Sequence, residues 1–408
     1  MTAFRCRSCG SNHGRLVLDL GLQPLANNLL NEADLARPEP KFPLRLALCE
    51  GCWLLQITDI VPPVKLFSEY LYFSSFSDAM LRHAAETVAK HRRDRALGPD
   101  SFVVEIASND GYLLKNFVAA GIPCLGIEPA ENIAKVAIER GVPTISRFFG
   151  PEAATELVQQ GRPADLILGN NVFAHAPDTN DFVAGLAVLL KPDGRIALEF
   201  PYACELIEHV EFDTIYHEHV FYFTLTALLP LFARHGLEIF DVERLSIHGG
   251  SLRLYAAHRG AQTVRPAVTA LAEEERVKGV ASPRYYDDFG DRVRRIRDDL
   301  VTLVRRLKAE GRSIAAYGAS AKGSTLLNYY GLGPETLDFV ADRSTAKQGR
   351  LTPGTHLPIL AAEELARRRP DYALLLTWNF AEEILRQQQA YRDAGGRFIV
   401  PLPEVRTV

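Results

Sequence analysis

Ser101-Phe102-Val103-Val104-Glu105-Ile106-Ala107-Ser108-Asn109-Asp110-Gly111 is the stretch that decides the architecture of this chain. Its first half is a short apolar run and its second half a small polar turn ending in glycine, the pattern of a buried parallel strand feeding a turn. Residues 113–120 follow as a helix, and Pro123-Cys124-Leu125-Gly126-Ile127-Glu128 as a second strand with an acid at its tip. Such strand–turn–helix–strand units build open parallel sheets, and the acid after the second strand is where they hold the ribose hydroxyls of an adenosine ligand. The turn lacks GxGxxG, which disfavours a nicotinamide dinucleotide. Glu105, the small polar turn of Ser108 and Asn109, and Gly111 let the backbone approach a small zwitterion instead, as an S-adenosylmethionine site requires.

The alternation continues outward. Residues 164–170 read as a strand leading into Asn170-Asn171-Val172-Phe173-Ala174-His175, which puts Asn170 and His175 at the carboxyl end of the sheet, where ligands bind. A helix over 182–190, a Lys191-Pro192-Asp193-Gly194 turn and a strand over 195–200 come next. Residues 236–242 and 252–257 read as an antiparallel closing pair. A charge-dense helical stretch from about 284 to 311 then separates this sheet from a second one. That second pattern opens with Ile314-Ala315-Ala316-Tyr317 and the small-residue loop Gly318-Ala319-Ser320-Ala321-Lys322-Gly323-Ser324. A small-residue loop at a helix start offers N–H groups and a positive dipole end to a phosphate, with Ser320 adding a hydroxyl and Lys322 a point charge. Arg343 and Lys347, after the next strand, suit a diphosphate or ribose.

Upstream, Cys6 and Cys9, and Cys49 and Cys52, form two CxxC knuckles. Each presents two thiolates on a tight turn, and two knuckles complete a tetrahedral sulfur cage for Zn²⁺. With four protein ligands the site is closed, and the metal contributes folding energy to a segment too small to hold a core. Cys124 and Cys204 read as buried apolar residues. The aromatic, hydroxyl-rich run from Glu69 through Tyr70 and Tyr72 to Ser77 is packing material unless it lies over a pocket.

One polar stretch stands apart: Glu211-Phe212-Asp213-Thr214-Ile215-Tyr216-His217-Glu218-His219, ending in Tyr222, with no Lys or Arg in it. In an extended or turning chain Tyr216 and Glu218 share one face, and His217 and His219 the other. A histidine beside a carboxylate that sets its tautomer is the minimal apparatus for removing a proton near neutral pH, which points to His219 with Glu218. A plain surface loop with solvated histidines has the same composition.

At 408 residues, with 47% hydrophobic and 24% charged residues, the chain has the composition of a soluble globular protein of two or three domains. A net charge of −4 gives no electrostatic reason to expect nucleic acid or an anionic membrane as partner. No apolar run is long enough to span a bilayer, and the first residues lack a secretion signal, so a cytoplasmic protein is expected.

Taken with Glu105-Ile106-Ala107-Ser108-Asn109-Asp110-Gly111, Asn170 to His175, the Tyr216, Glu218, His219 cluster and Tyr317 to Lys322, the four cysteines make the chain resemble the sugar C-methyltransferases of deoxysugar biosynthesis in antibiotic producers. The resemblance runs over essentially the whole length. It implies an α/β protein with a small zinc-binding amino-terminal domain (1–68), a central class I methyltransferase Rossmann-like sheet (69–283) and a carboxy-terminal Rossmann-like domain (284–408). It also implies methylation at C-3 of a dTDP-4-keto-deoxysugar through an enolate, the nucleotide sugar lying between the last two domains, in a monomer or weak homodimer. By position, pocket roles fall on Tyr70, His175, Tyr216, Glu218 and His219, and substrate contacts on Tyr72 and Tyr222. O- or N-methyl transfer to a nucleotide sugar, and a catalytically silent binding fold, are the competing readings.

Overall fold

The computed structural model describes residues 4–67 and 73–408. Three sheets organise them. Strands β1 (Gly14–Pro24), β2 (Lys41–Cys49) and β3 (Leu55–Ile57) follow the first knuckle. β4 (Val103–Ile106), β5 (Cys124–Ile127), β6 (Thr144–Ile145), β7 (Ala164–Asn170) and β8 (Leu190–Pro201) alternate with helices, and β9 (Phe221–Tyr222), β10 (Leu237–Leu245) and β11 (Ser251–His258) come after them. β12 (Ile314–Tyr317), β13 (Val340–Asp342), β14 (Ile359–Ala361), β15 (Tyr372–Leu375), β16 (Arg397–Val400) and β17 (Arg406–Thr407) complete the chain.

The central sheet has the order β10-β11-β8-β7-β4-β5-β6. β6, β5, β4, β7 and β8 are parallel, and β11 is antiparallel to both β8 and β10. This is the doubly wound sheet of a class I methyltransferase, and every residue of β4 is buried, as a strand covered on both faces must be. Chain order reverses at β4, which lies between β5 and β7, so the crevice for a ligand opens at the carboxyl ends of β4 and β7. The carboxy-terminal sheet repeats the plan as β14-β13-β12-β15-β16-β17, with its reversal at β12.

Two local expectations are modified. Leu190 pairs with Ala164 and Arg195 with Leu166, so the Lys191–Gly194 turn is an irregularity inside β8, with Lys191 Nζ 2.7 Å from the Asp165 carboxylate. The second change concerns β9. It leaves the central fold and pairs antiparallel with β3, giving the amino-terminal sheet the order β1-β2-β3-β9.

One apolar core runs through all three sheets, from Leu18 and Leu46 through Phe173, Phe200 and Phe223 to Val304, Ile314 and Leu374. Helix Phe289–Ala309 buries Phe289, Val293, Ile296, Leu300, Val304 and Leu307, a spacing of three and four that lays one apolar stripe along its length. The amino-terminal segment also touches the last sheet, since Leu30 bridges to Leu351 and Glu39 accepts hydrogen bonds from Gly354 and His356. No helix among the described residues is long and apolar enough to cross a membrane.

Candidate active site

The knuckles meet as expected. The Sγ atoms of Cys6 and Cys52, and those of Cys9 and Cys49, are each 3.6 Å apart, and all four lie within 4.8 Å of one another. Sulfurs about 2.3 Å from a common Zn²⁺ at tetrahedral angles fall in this range. Cys9 N–H donates to Cys6 Sγ and Gly51 N–H to Cys49 Sγ, the backbone support a thiolate on a tight turn needs. The donor set therefore fits a closed, structural Zn²⁺. Asn180 and Arg234 donate to the carbonyls of Arg7 and Ser8, fastening the first knuckle to the central domain.

At the carboxyl end of β4 the backbone turns through Ala107, Asn109 and Gly111, all with positive φ (53°, 51° and 76°). Two of the three are not glycine, so the turn is held against a local cost by what surrounds it. Glu128 does part of that holding, its carboxylate accepting from Asn109 N–H and Ala130 N–H at 2.9 Å each. Gly126 does the rest by absence, because a Cβ there would stand 2.3 Å from Ser108 Oγ. Both carboxylate oxygens of Glu105, Ser108 Oγ, Asp110 Oδ1 and Asn170 Nδ2 are buried without a hydrogen-bond partner among the described residues. Burial, and then the charges of Glu128, Asp110 and Glu199, push the Glu105 carboxyl well above the usual carboxylate range. Burial also raises Glu128. A buried acidic pocket with unmet acceptors is a poor place for an anion and a good one for the sulfonium and ammonium of S-adenosylmethionine. Immediately after the aromatic run, Ser74 N–H donates to Asn109 Oδ1 and Ser75 Oγ to Asp110 Oδ2, so residues 74–75 lie over this turn.

The polar stretch 211–219 is a turn, not an extended strand. His219 N–H donates to Tyr216 C=O at 2.9 Å, which brings residues 216 and 219, not 216 and 218, face to face. Tyr216 Oη lies 2.7 Å from His219 Nε2, and His219 Nδ1 lies 3.0 Å from Thr214 C=O. A carbonyl can only accept, so Nδ1 carries the proton; in the neutral ring Nε2 then carries the lone pair and Tyr216 donates to it. The expected partner of His219, Glu218, accepts through Oε1 from Asn27 Nδ2 at 2.7 Å, while His219 bonds Thr214 and Tyr216. The ring of His175 meets that of His219 edge to face at 4.8 Å. Burial lowers His175 to about 4, so it stays neutral near physiological pH. His217 bonds the Pro43 carbonyl and packs on Phe42.

Tyr222 is corrected as well. It belongs to β9, is buried, and spends its hydroxyl on the carbonyls of His219 and Thr214, so it braces the turn from behind. Tyr70 and Tyr72 lie outside the described residues.

A second crevice, at the ends of β12 and β15, is lined by Tyr317, Gly318, Asp342, Arg343, Lys347 and Thr377, with Phe73 and Phe76 on its opposite wall. Arg343 is exposed to it, while Lys347 donates to Ala319 C=O at 2.7 Å. Asp342, the last residue of β13, accepts from Ala319 N–H and Ser344 N–H at 2.7 Å each. Its position at the end of the second strand parallels that of Glu128. Asn27 carried no local clue. Ser320 and Lys322 do not line this crevice. Ser320 Oγ caps helix Ala321–Tyr330 by accepting from Gly323 N–H, and Lys322 Nζ is buried 4.8 Å above the ring of Trp378.

Comparison with known proteins agrees with this layout. Residues 6–67 match a zinc binding domain profile, 80–242 a methyltransferase domain, and 246–403 a C-methyltransferase C-terminal domain. The C-methyltransferase NovU of Streptomyces niveus is 41% identical over 404 residues, covering 99% of this chain and 96% of that protein. A ubiquinone biosynthesis O-methyltransferase of Bartonella bacilliformis is 28% identical over 93 residues, 22% of this chain and 38% of that one. Among solved structures, the magnesium protoporphyrin IX methyltransferase ChlM of Synechocystis PCC 6803 with bound SAH superposes with a TM-score of 0.35 at 16% identity, over 44% of this chain and 83% of that one.

Proposed function

The chain belongs to the C-methyltransferase family that its motifs resemble, is an S-adenosylmethionine-dependent enzyme, and from that premise we propose that it methylates C-3 of a dTDP-4-keto-deoxysugar through an enolate. The observation that carries this reading is the Thr214–His219–Tyr216 chain, which sets one basic nitrogen and one hydroxyl donor side by side. Carbon becomes nucleophilic only after losing a proton, and a ketone at the adjacent position acidifies it. His219 Nε2 takes the C-3 proton while Nδ1–H stays on Thr214 C=O. Tyr216 turns its O–H from Nε2 to the developing enolate oxygen, which frees the lone pair at the moment it is needed. A positioned donor of this kind is worth about 10²–10³ in rate. His175, held neutral, adds no positive charge beside the imidazolium that forms. S-adenosylmethionine supplies the electrophilic methyl group when bound, in the acidic crevice of Glu105, Ser108, Asn109, Gly111, Glu128 and Asn170. The nucleotide diphosphate is assigned to the crevice of Arg343 and Lys347. Its position at the end of a parallel sheet, beside an exposed guanidinium, supports that assignment.

The test is solvent exchange. Incubated in D₂O with a dTDP-4-keto-deoxysugar, the protein is expected to incorporate deuterium at C-3, and His219→Ala to lose that exchange by about 10²–10⁴-fold. Exchange at the unaltered rate in His219→Ala removes the base assignment. A fourteen-dalton product gain that appears only on oxygen or nitrogen removes carbon as the nucleophile.

A further inference from the structure

His219 is held from one side by Thr214, and the residues around Thr214 are held from the other side by the carboxy-terminal domain. Trp378 Nε1 donates to Asp213 Oδ2 at 2.6 Å. Thr325 Oγ1 donates to Ile215 C=O at 3.2 Å. Phe212 stacks on Tyr330, with centroids 5.2 Å apart and planes at 25°. Residues 212, 213 and 215 are thus each gripped by a side chain from beyond residue 320, and the residue between them carries the carbonyl that selects the His219 tautomer.

Asp213 is the costly member of this set. It is fully buried, and one carboxylate oxygen has no hydrogen-bond partner among the described residues. Neutral donors, the indole N–H and the turn's own amides, do not by themselves offset a buried carboxylate. The ammonium of Lys322 is itself buried, with no hydrogen-bond partner among the described residues. It supplies the opposite charge from above the Trp378 ring, and its field acts on both Asp213 and Glu211. Both ends of this arrangement begin at the second crevice. Thr377, the neighbour of Trp378, lines it, as does Gly318, which opens the loop that leads to Lys322.

We propose that Asp213, Trp378 and Lys322 are positioning residues through which the carboxy-terminal domain sets the orientation and tautomer of His219. The inference rests on His219 being the base of the proposed reaction. It goes beyond that reading by making the correct base a product of domain contact: the turn that holds His219 is itself held in shape by the carboxy-terminal domain.

The full-length protein labelled with ¹⁵N-histidine tests this without any ligand. The His219 ring signals are assigned by their loss in His219→Gln. The unaltered protein is expected to show the Nδ1–H tautomer. Trp378→Phe, Lys322→Met and Asp213→Asn are each expected to move those signals toward a mixture of tautomers, and Lys322→Arg to restore them. Turnover with a dTDP-4-keto-deoxysugar is expected to fall in kcat by about tenfold in the three disruptive variants, with KM for S-adenosylmethionine unchanged. Asp213→Asn is the variant most exposed to misfolding, so Trp378→Phe and Lys322→Met decide the outcome. His219 signals and kcat that stay put in both overturn the proposal. Should His219 not be the base, His219→Gln retains C-3 exchange, an outcome separate from the ring signals of the ligand-free protein.

Discussion

The two parallel sheets carry the same device with different surroundings. In the first, Glu128 after β5 accepts one N–H from the turn behind β4 (Asn109) and one from just beyond itself (Ala130). In the second, Asp342 at the end of β13 accepts one N–H from the turn behind β12 (Ala319) and one from just beyond itself (Ser344). Each acid therefore ties its own crevice together. What differs is the remaining charge. The first crevice adds Glu105 and Asp110, buried and with acceptor oxygens unmet among the described residues, while the second adds Arg343 and Lys347. Topology supplies two equivalent places to bind, and under the proposed function charge would assign the cationic methyl donor to one and an anionic phosphate to the other.

The largest effect should come from the amino-terminal knuckles, outside both crevices. Replacing Cys49 and Cys52 by serine removes half of the sulfur cage, and a structural Zn²⁺ carries on the order of 10 kcal/mol of folding energy. Zinc content by plasma mass spectrometry is expected to fall from one equivalent to background, with turnover lost as the amino-terminal sheet melts away from β9.

Next comes the acidic crevice alone. Glu105→Gln removes a carboxylate that burial disfavours, so the cofactor-free protein should melt higher while S-adenosylmethionine, measured by calorimetry, binds about 100-fold more weakly. A variant that binds normally would show that the unmet acceptors do not face the cofactor. Arg343→Ala probes the opposite crevice and is expected to raise KM for the nucleotide sugar about tenfold, leaving the cofactor affinity alone. If both ligands respond equally to both substitutions, the division of labour between the crevices is wrong.

The last expected effect is on stability alone and falls between the two sheets. Burial pushes Glu211 up to about 7, so the folded protein keeps a proton there that the unfolded chain gives up near 4.5. Its contribution is present below the lower value and is lost as pH rises through the upper one, by linkage. Chemical denaturation between pH 4.5 and 7 should show Glu211→Gln losing stability less steeply than the unaltered protein, by about 3 kcal/mol across the window.

Much of the fold was legible because its cues are local. The strand period, the glycines and small residues of the turns, the two CxxC knuckles and the acids at the ends of β5 and β13 all lie within a few residues of the structure they specify. The crevice at β4 and the four-cysteine cage could be written down from such cues. Partners of individual side chains could not. Glu218 meets Asn27, 191 residues away, and leaves its neighbour His219 to Thr214 and Tyr216. Tyr222 crosses into the amino-terminal sheet, and Lys322 lies over Trp378 instead of facing the crevice of Arg343 and Lys347. By itself the sequence determined most of the strands and helices and the residue types at each rim, since backbone geometry and short spacing decide those. Only the tertiary structure decided which nitrogen of His219 is basic and which acid stands beside which base, because a side chain bonds to whatever the packing of distant elements brings within about 3 Å.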